Sequence, residues 1–212
     1  MSRRLITPLA VAAVGLAVFF LELVAVTGDP GPTGLDSRAL TAADDLNSGA
    51  GVAVAKVVTA FGSLPATAVA VLIGALLLAR RRRRAELAVL LGSAVAIYVL
   101  VHVTKATTDR PRPPHPLAAA TLSAFPSGHA AYSTMYVGLA SIASRTSRAS
   151  LLIAAVVAAA AIGASRVYLR VHWASDVLAG WALGAAIFGA ATAIALAVGR
   201  FRNNDRATCT QP

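Results

Sequence analysis

Six apolar stretches, at about 5–26, 56–79, 85–104, 128–144, 149–165 and 174–199, set the terms on which this chain can fold. A bilayer core takes ~20 apolar residues in a helix, within a range of about 17–25. The fourth and fifth stretches are at or just below that length. Only the basic turn Ser144 to Arg148 joins them, which predicts a helical hairpin. Both are rich in Ala, Gly and Ser, residues that let membrane helices approach closely. Composition points the same way. With 57% hydrophobic and 13% charged residues among 212, a soluble domain could not hide its apolar surface. The expected architecture is all-α and polytopic, six transmembrane helices in one integral-membrane domain spanning 1–212.

The charge is lopsided, 19 Lys+Arg against 9 Asp+Glu. In a soluble protein this would raise nucleic-acid binding. Here most basic residues lie between apolar runs and act as topology signals, so no nucleic-acid partner is expected. Arg3, Arg4, Arg80 to Arg84, Arg145, Arg148, Arg200, Arg202 and Arg206, 12 of the 19, fall on one side of the six-helix layout. Asp29, Asp36, Asp44 and Asp45 occupy the first loop on the other side. The positive-inside rule then places both termini in the cytoplasm. The apolar run from Leu5 to Val26 exceeds the ~7–15 residues of a signal-peptide core and predicts an uncleaved first helix. The loop 27–51, with Gly28, Pro30, Gly31, Pro32 and Gly34, is expected as a turn-rich external segment, with nothing in its residues demanding a lid. The lone Cys209 offers neither a disulfide nor a metal pattern.

The other seven basic residues are Arg38, Lys56, Lys105, Arg110, Arg112, Arg166 and Arg170. Five of them crowd into 105–112 and 166–170, on the side where the topology predicts few. Positive charge is needed there for some purpose other than orientation.

Three segments on that external side carry chemistry. Lys105 to Pro113 closes the third helix, Pro126-Ser127-Gly128-His129 opens the fourth, and Ser165 to Asp176 joins the fifth to the sixth. Lys105, Arg112 and Arg166 converging on one point would suit a phosphate, Arg with a planar fork of donors and Lys with a compact charge. Ser127 is placed to cap a helix N-terminus, whose free N–H groups and dipole favour an anion. Gly128 has no side chain to obstruct close approach. His172 and Asp176 are four apart, so on a helix they would share a face. A carboxylate on one ring nitrogen fixes the tautomer and leaves the other nitrogen as a nucleophile. His129 is then a second titrating group for acid–base work. With no cluster of carboxylates for Mg²⁺ or Zn²⁺, the expected reaction is metal-independent phosphoryl transfer through a phosphohistidine, with no cofactor.

These segments resemble the signature of the type 2 phosphatidic acid phosphatase family, which is related to the vanadium haloperoxidases. The pattern Lys-x6-Arg-Pro, Pro-Ser-Gly-His, Ser-Arg-x5-His-x3-Asp is met in order at all eleven specified positions. The resemblance implies His172 as nucleophile, Asp176 as its orienting partner and His129 as the group that protonates the leaving oxygen and later activates water. It implies Lys105, Arg112, Arg166, Ser127 and the Gly128 backbone as the phosphate holders. The implied partner is a lipid phosphate or diphosphate in the outer leaflet of the plasma membrane, with undecaprenyl or another polyprenyl diphosphate first. Phosphatidic acid and phosphatidylglycerol phosphate follow. A vanadate-dependent haloperoxidase and a non-enzymatic lipid-binding protein are the readings of other classes.

Several neighbours of the motifs are expected to be bland. His102 packs between helices, and His115 is a solvated loop residue. Glu22 is a near-surface carboxylate, and Tyr168, Trp173 and Trp181 form an interfacial belt. Asp109 and Arg110 pair with each other or meet the head group, and Arg170, two residues before His172, either joins the site or contacts lipid phosphate.

Overall fold

The computed structural model describes residues 3–143 and 148–208. Arg145, with most of the expected basic turn, and Cys209 lie outside the described residues, and of the arginines used for topology only Arg80 to Arg84 have described side chains. Among the described residues eight helices follow one another: α1 (Arg3–Gly28), α2 (Gly34–Asp45), α3 (Gly49–Ala60), α4 (Leu64–Arg80), α5 (Arg84–Thr107), α6 (Gly128–Ile142), α7 (Arg148–Tyr168) and α8 (Ala174–Thr208).

The protein is an all-α, multi-pass membrane protein. Among the described residues four segments are long and apolar enough to cross a bilayer: Leu5–Gly28, Arg84–Thr107, Ala149–Tyr168 and Ala174–Gly199. The pair α3 and α4 makes a fifth if it is taken as one span bent by 41°. The expected fourth span ends sooner than its apolar stretch. With 15 residues, α6 is about 22 Å long at ~1.5 Å per residue, short of the ~20 residues a full crossing takes.

Two expectations need correction. The segment 27–51 is helical for most of its length. Thr33 accepts from the Asp36 N–H and Asp36 returns a bond to the Thr33 N–H, a capping box that starts α2. Ser48 then caps α3 by accepting from the Gly51 N–H. The stretch expected as one helix from 56 to 79 instead begins at Gly49 and breaks after Ala60. Ser63 caps the new start, with Pro65 in the first turn, where a missing N–H costs nothing. The Tyr136 hydroxyl donates to the Phe61 carbonyl at 2.5 Å and fixes the break.

Glycine sets how closely the helices pack. A Cβ on Gly15 of α1 would lie 2.6 Å from the Ala182 carbonyl oxygen of α8, and one on Gly189 would lie 2.8 Å from that of Pro8. The two helices therefore run antiparallel in backbone contact. Lipid tails are as apolar as leucine, so such close packing, and not apolar burial, holds membrane helices together. Large apolar side chains such as Leu21, Val24, Leu72 and Ile153 stay exposed, as a lipid-facing surface requires. Helix α6 lies inside, against α4, α5, α7 and α8. The connectivity gathers the C-terminal ends of α1, α5 and α7 and the N-terminal ends of α6 and α8 at one end of the bundle. Arg80 to Arg84 lie at the other.

Candidate active site

His172 owes its place to the way α7 ends. The Val171 N–H reaches back to the Arg166 carbonyl at 3.1 Å and the Arg170 N–H to that of Val167 at 2.9 Å. This is a Schellman closure, with Arg170 in the left-handed position at φ 52°. A residue with a Cβ spends roughly 1–2 kcal/mol there. The side chain compensates by pairing with Asp44 of α2. The chain reverses within a few residues and α8 begins at Ala174, with the buried His172 imidazole between the two helices.

Asp176 sits in the first turn of α8. Its Oδ2 accepts from the Trp173 N–H at 2.8 Å and lies 3.5 Å from His172 Nδ1. That is long for a hydrogen bond, and Nδ1 is buried with no closer partner. Catalytic bonds are often loose before substrate arrives. Nε2, the other ring nitrogen, lies 3.4 Å from Arg112 Nη1. Burial drives the His172 pKa down to about 4, against the opposing pull of Asp176. The imidazole is therefore neutral at pH 7, with a free lone pair.

Around that lone pair the structure gathers the expected cations. Arg112 donates to the carbonyls of Val171, Thr121 at 2.6 Å and Ser123 at 3.3 Å. Lys105 Nζ donates to the same Ser123 carbonyl at 2.5 Å. Arg166 Nη1 donates to Thr59 Oγ1 of α3 at 2.9 Å. Among the described residues no carboxylate lies within ion-pair distance of any of the three. The Nε groups of Arg112 and Arg166 are buried with no partner among the described residues. Charge held this way lacks its counterion.

Helix α6 supplies the remaining pieces. The Ser127 N–H donates to the Asp176 carbonyl at 2.9 Å, tying the starts of α6 and α8. Its Oγ accepts from the Ala130 N–H at 3.4 Å, the expected cap, and its own proton remains to be donated. The first bond inside the helix is Ala131 N–H to Ser127 carbonyl, so the N–H groups of Gly128 and His129 have no carbonyl one turn back. His129 feels the charges of Arg166, His172, Lys105 and Arg112. A Cβ on Gly128 would meet Tyr132 at 3.4 Å and Val101 at 3.5 Å, ordinary contact, so the packing of the protein does not itself require glycine there.

Sequence reasoning missed Arg110, which is buried and uses all five donors. Nη1 bonds Asp176 Oδ1 at 2.6 Å and Ser175 Oγ at 2.7 Å. Nη2 bonds Asp36 Oδ2 at 2.8 Å and the Gly31 carbonyl at 3.2 Å, and Nε bonds the Pro30 carbonyl at 3.4 Å. Asp36 also takes the Ser175 N–H and hydroxyl, both at 2.8 Å. Burial opposes the Asp36 charge, but the bonds from Ser175 and Thr33 and the Arg110 charge outweigh it and hold its pKa below the usual range. Missed too were Thr59 and Gly62, a Cβ on which would lie 3.2 Å from His129 Cβ. Trp173, expected at the interface, is buried in the site, donating to the Pro111 carbonyl at 2.8 Å beneath Arg110. Arg170 pairs with Asp44 of α2. His102 bonds the Tyr98 carbonyl of its own helix at 2.8 Å, and His115 is exposed.

A membrane bundle that leaves three cations unmatched beside a neutral histidine has the makings of an integral-membrane phosphatase. A profile of the PAP2 superfamily matches residues 86–200, more than half of the chain. The chain belongs to the PAP2 superfamily and is a PAP2-type lipid phosphate phosphatase. Among solved structures it is similar to that of the first transmembrane PAP2 type phosphatidylglycerolphosphate phosphatase from Bacillus subtilis. The two share 26% sequence identity with a TM-score of 0.74 over 87% of this chain and 93% of the other. No curated protein sequence matches the chain significantly.

Proposed function

We propose that the chain hydrolyses a glycerophospholipid monophosphate of the phosphatidylglycerol phosphate kind, through a phosphohistidine on His172. The observation that carries this reading is the orientation of the imidazole, with Nδ1 toward Asp176 and Nε2 toward Arg112 and the unpaired cations. The choice of head group rests on the similarity to the Bacillus subtilis enzyme along nearly its whole length. A polyprenyl diphosphate, the first expectation from sequence, is the alternative substrate.

In the first step His172 Nε2 attacks phosphorus, and the bond from phosphorus to the lipid oxygen breaks. His129 gives that oxygen its proton, so the lipid leaves as a neutral alcohol. In the second step His129 takes a proton from water, whose oxygen attacks phosphorus, and the P–N bond breaks to release phosphate and restore His172. Lys105, Arg112 and Arg166, with the Ser127 hydroxyl and the N–H groups at the start of α6, offset charge on the phosphoryl oxygens. The anion's own charge is what lets a protonated imidazole sit among those cations. Because side chains supply the countercharge, the reaction is expected to run without a metal.

The proposed topology has six crossings, with α6 a short one, both termini cytoplasmic and the site at the external face. Arg80 to Arg84, at the end opposite the site, support it through the positive-inside rule. Single cysteines placed at Thr41 and Arg82 in a chain lacking Cys209 test it. An impermeant thiol reagent on intact cells should label only the first, and labelling of only the second would reverse the orientation.

Phosphate release in EDTA tests the function, with short-chain phosphatidylglycerol phosphate, phosphatidic acid and a polyprenyl diphosphate compared for wild type and His172→Ala. A higher kcat/KM on phosphatidylglycerol phosphate, lost in the variant, is expected. Preference for the diphosphate would reverse the substrate order, and activity surviving in His172→Ala would end the covalent mechanism.

A further inference from the structure

The polar cluster behind His172 uses groups that the reaction does not. Arg110, Asp36, Ser175 and Asp176 are at most 2% exposed, yet none needs to touch phosphate. Asp176 must present Oδ2 to His172, and with the Trp173 N–H already on Oδ2 a bond to the other oxygen sets the plane of the carboxylate. Arg110 Nη1 holds Oδ1 at 2.6 Å. Arg110 is held in turn by Asp36 and by the carbonyls of Pro30 and Gly31. Asp36 belongs to the capping box of α2 and bonds Ser175, the residue before Asp176. At its other end α2 holds Arg170 through Asp44. The helix is thus fastened on both sides of the segment that carries His172.

We infer that Asp36 and Arg110 are positioning residues for the His172–Asp176 pair, and that α2 serves as an external brace that sets their orientation. The inference rests on His172 being the nucleophile. A plain structural filler would need only to occupy volume. This cluster instead places one cation between two carboxylates, and that balance acts on the imidazole. Other charges facing the pair are Lys105 from α5, Arg112 from the following loop, His129 from α6 and Arg166 from α7. Glu22 of α1 faces the Asp36, Arg110 and Asp176 charges. A test must therefore change the brace and leave those groups alone.

The experiment is steady-state kinetics of the full-length protein in detergent on dioctanoyl phosphatidic acid, as pH profiles of kcat and kcat/KM. The chains are wild type, Asp36→Asn, Arg110→Gln, Arg110→Lys, Ser175→Ala and His172→Ala. In Arg110→Gln the Asp176 charge acts on His172 unopposed, so protonation comes more easily. The acid limb should rise by about half to one pH unit while kcat falls ~10–100-fold at nearly constant KM. Arg110→Lys should return the limb toward the wild-type position. In Asp36→Asn, Arg110 acts wholly on Asp176, so the limb should move to lower pH and kcat should again fall. Ser175→Ala, the mildest change, should cost several-fold in kcat and carries the test if the charge variants do not fold. A brace without a positioning role would lower kcat and leave the limb where it is, which would overturn the inference. So would wild-type kinetics in Asp36→Asn and Ser175→Ala where His172→Ala is inactive. Activity in His172→Ala would instead strike the nucleophile assignment.

Discussion

The two sides of His172 hold their arginines in opposite ways. Behind it, Arg110 meets two carboxylates, a hydroxyl and two carbonyls, one acceptor for every donor. In front, Arg112, Arg166 and Lys105 make do with carbonyls and one threonine hydroxyl, and two buried Nε groups go unpaired. A matched buried charge costs little further and rigidifies its surroundings, whereas an unmatched one is expensive until something neutralises it. The front is therefore built for a visitor and the back for permanence. Burial alone does not distinguish them, since Arg110 and Arg166 are both buried. Their partners do.

The contrast breaks most readily if the two kinds of arginine are removed one at a time. Arg166→Ala should lower kcat/KM by roughly 10³-fold, about 4 kcal/mol at ~1.4 kcal/mol per decade, while the melting temperature in detergent holds or rises. Arg110→Ala should do what the front variant does not. It strands Asp36 and Asp176 without their cation, a loss of about 3–5 kcal/mol in stability, read as a lower melting temperature. Equal melting temperatures in the two variants would erase the distinction.

A ligand sharpens it. Orthovanadate, with the shape and charge of phosphate, should raise the melting temperature of the wild type in proportion to its binding. It should leave Arg112→Ala almost unmoved. Acidity gives a smaller effect. Burial sets the His172 pKa at about 4, and a protonated ring cannot attack. Through His172, kcat/KM should therefore hold from neutrality down toward pH 4 and fall about tenfold per unit below it. Thr59→Val removes the hydroxyl on Arg166 and should cost only a few-fold in KM.

How much of this was legible in sequence divides along the same line. The front was readable because its residues recur at short fixed spacings: Lys105 with Arg112, Ser127 with His129, and Arg166 with His172 and Asp176. The back was not, because Asp36 and Arg110 are 74 residues apart and nothing local joins them. One clue did exist. Thr33 and Asp36 have the spacing of a capping box, and Ser63 before Pro65 marks a helix start inside an apolar stretch. Glycines and prolines in 27–34 pointed to turns, and the helix that follows them was passed over. The six apolar stretches did predict a helical membrane protein. Their edges misjudged the second, because hydropathy reports solvent and says nothing of where a cap breaks the backbone.

The most direct test of the central claim is to look for the covalent intermediate. Wild-type protein would be mixed with ³²P-labelled phosphatidylglycerol phosphate, quenched in alkali within milliseconds to seconds, and compared with His172→Ala. The account predicts label on the wild-type chain that survives alkali, is lost in acid as a P–N bond is, and maps to the peptide carrying His172. Label on another residue, or full turnover by His172→Ala, would contradict it.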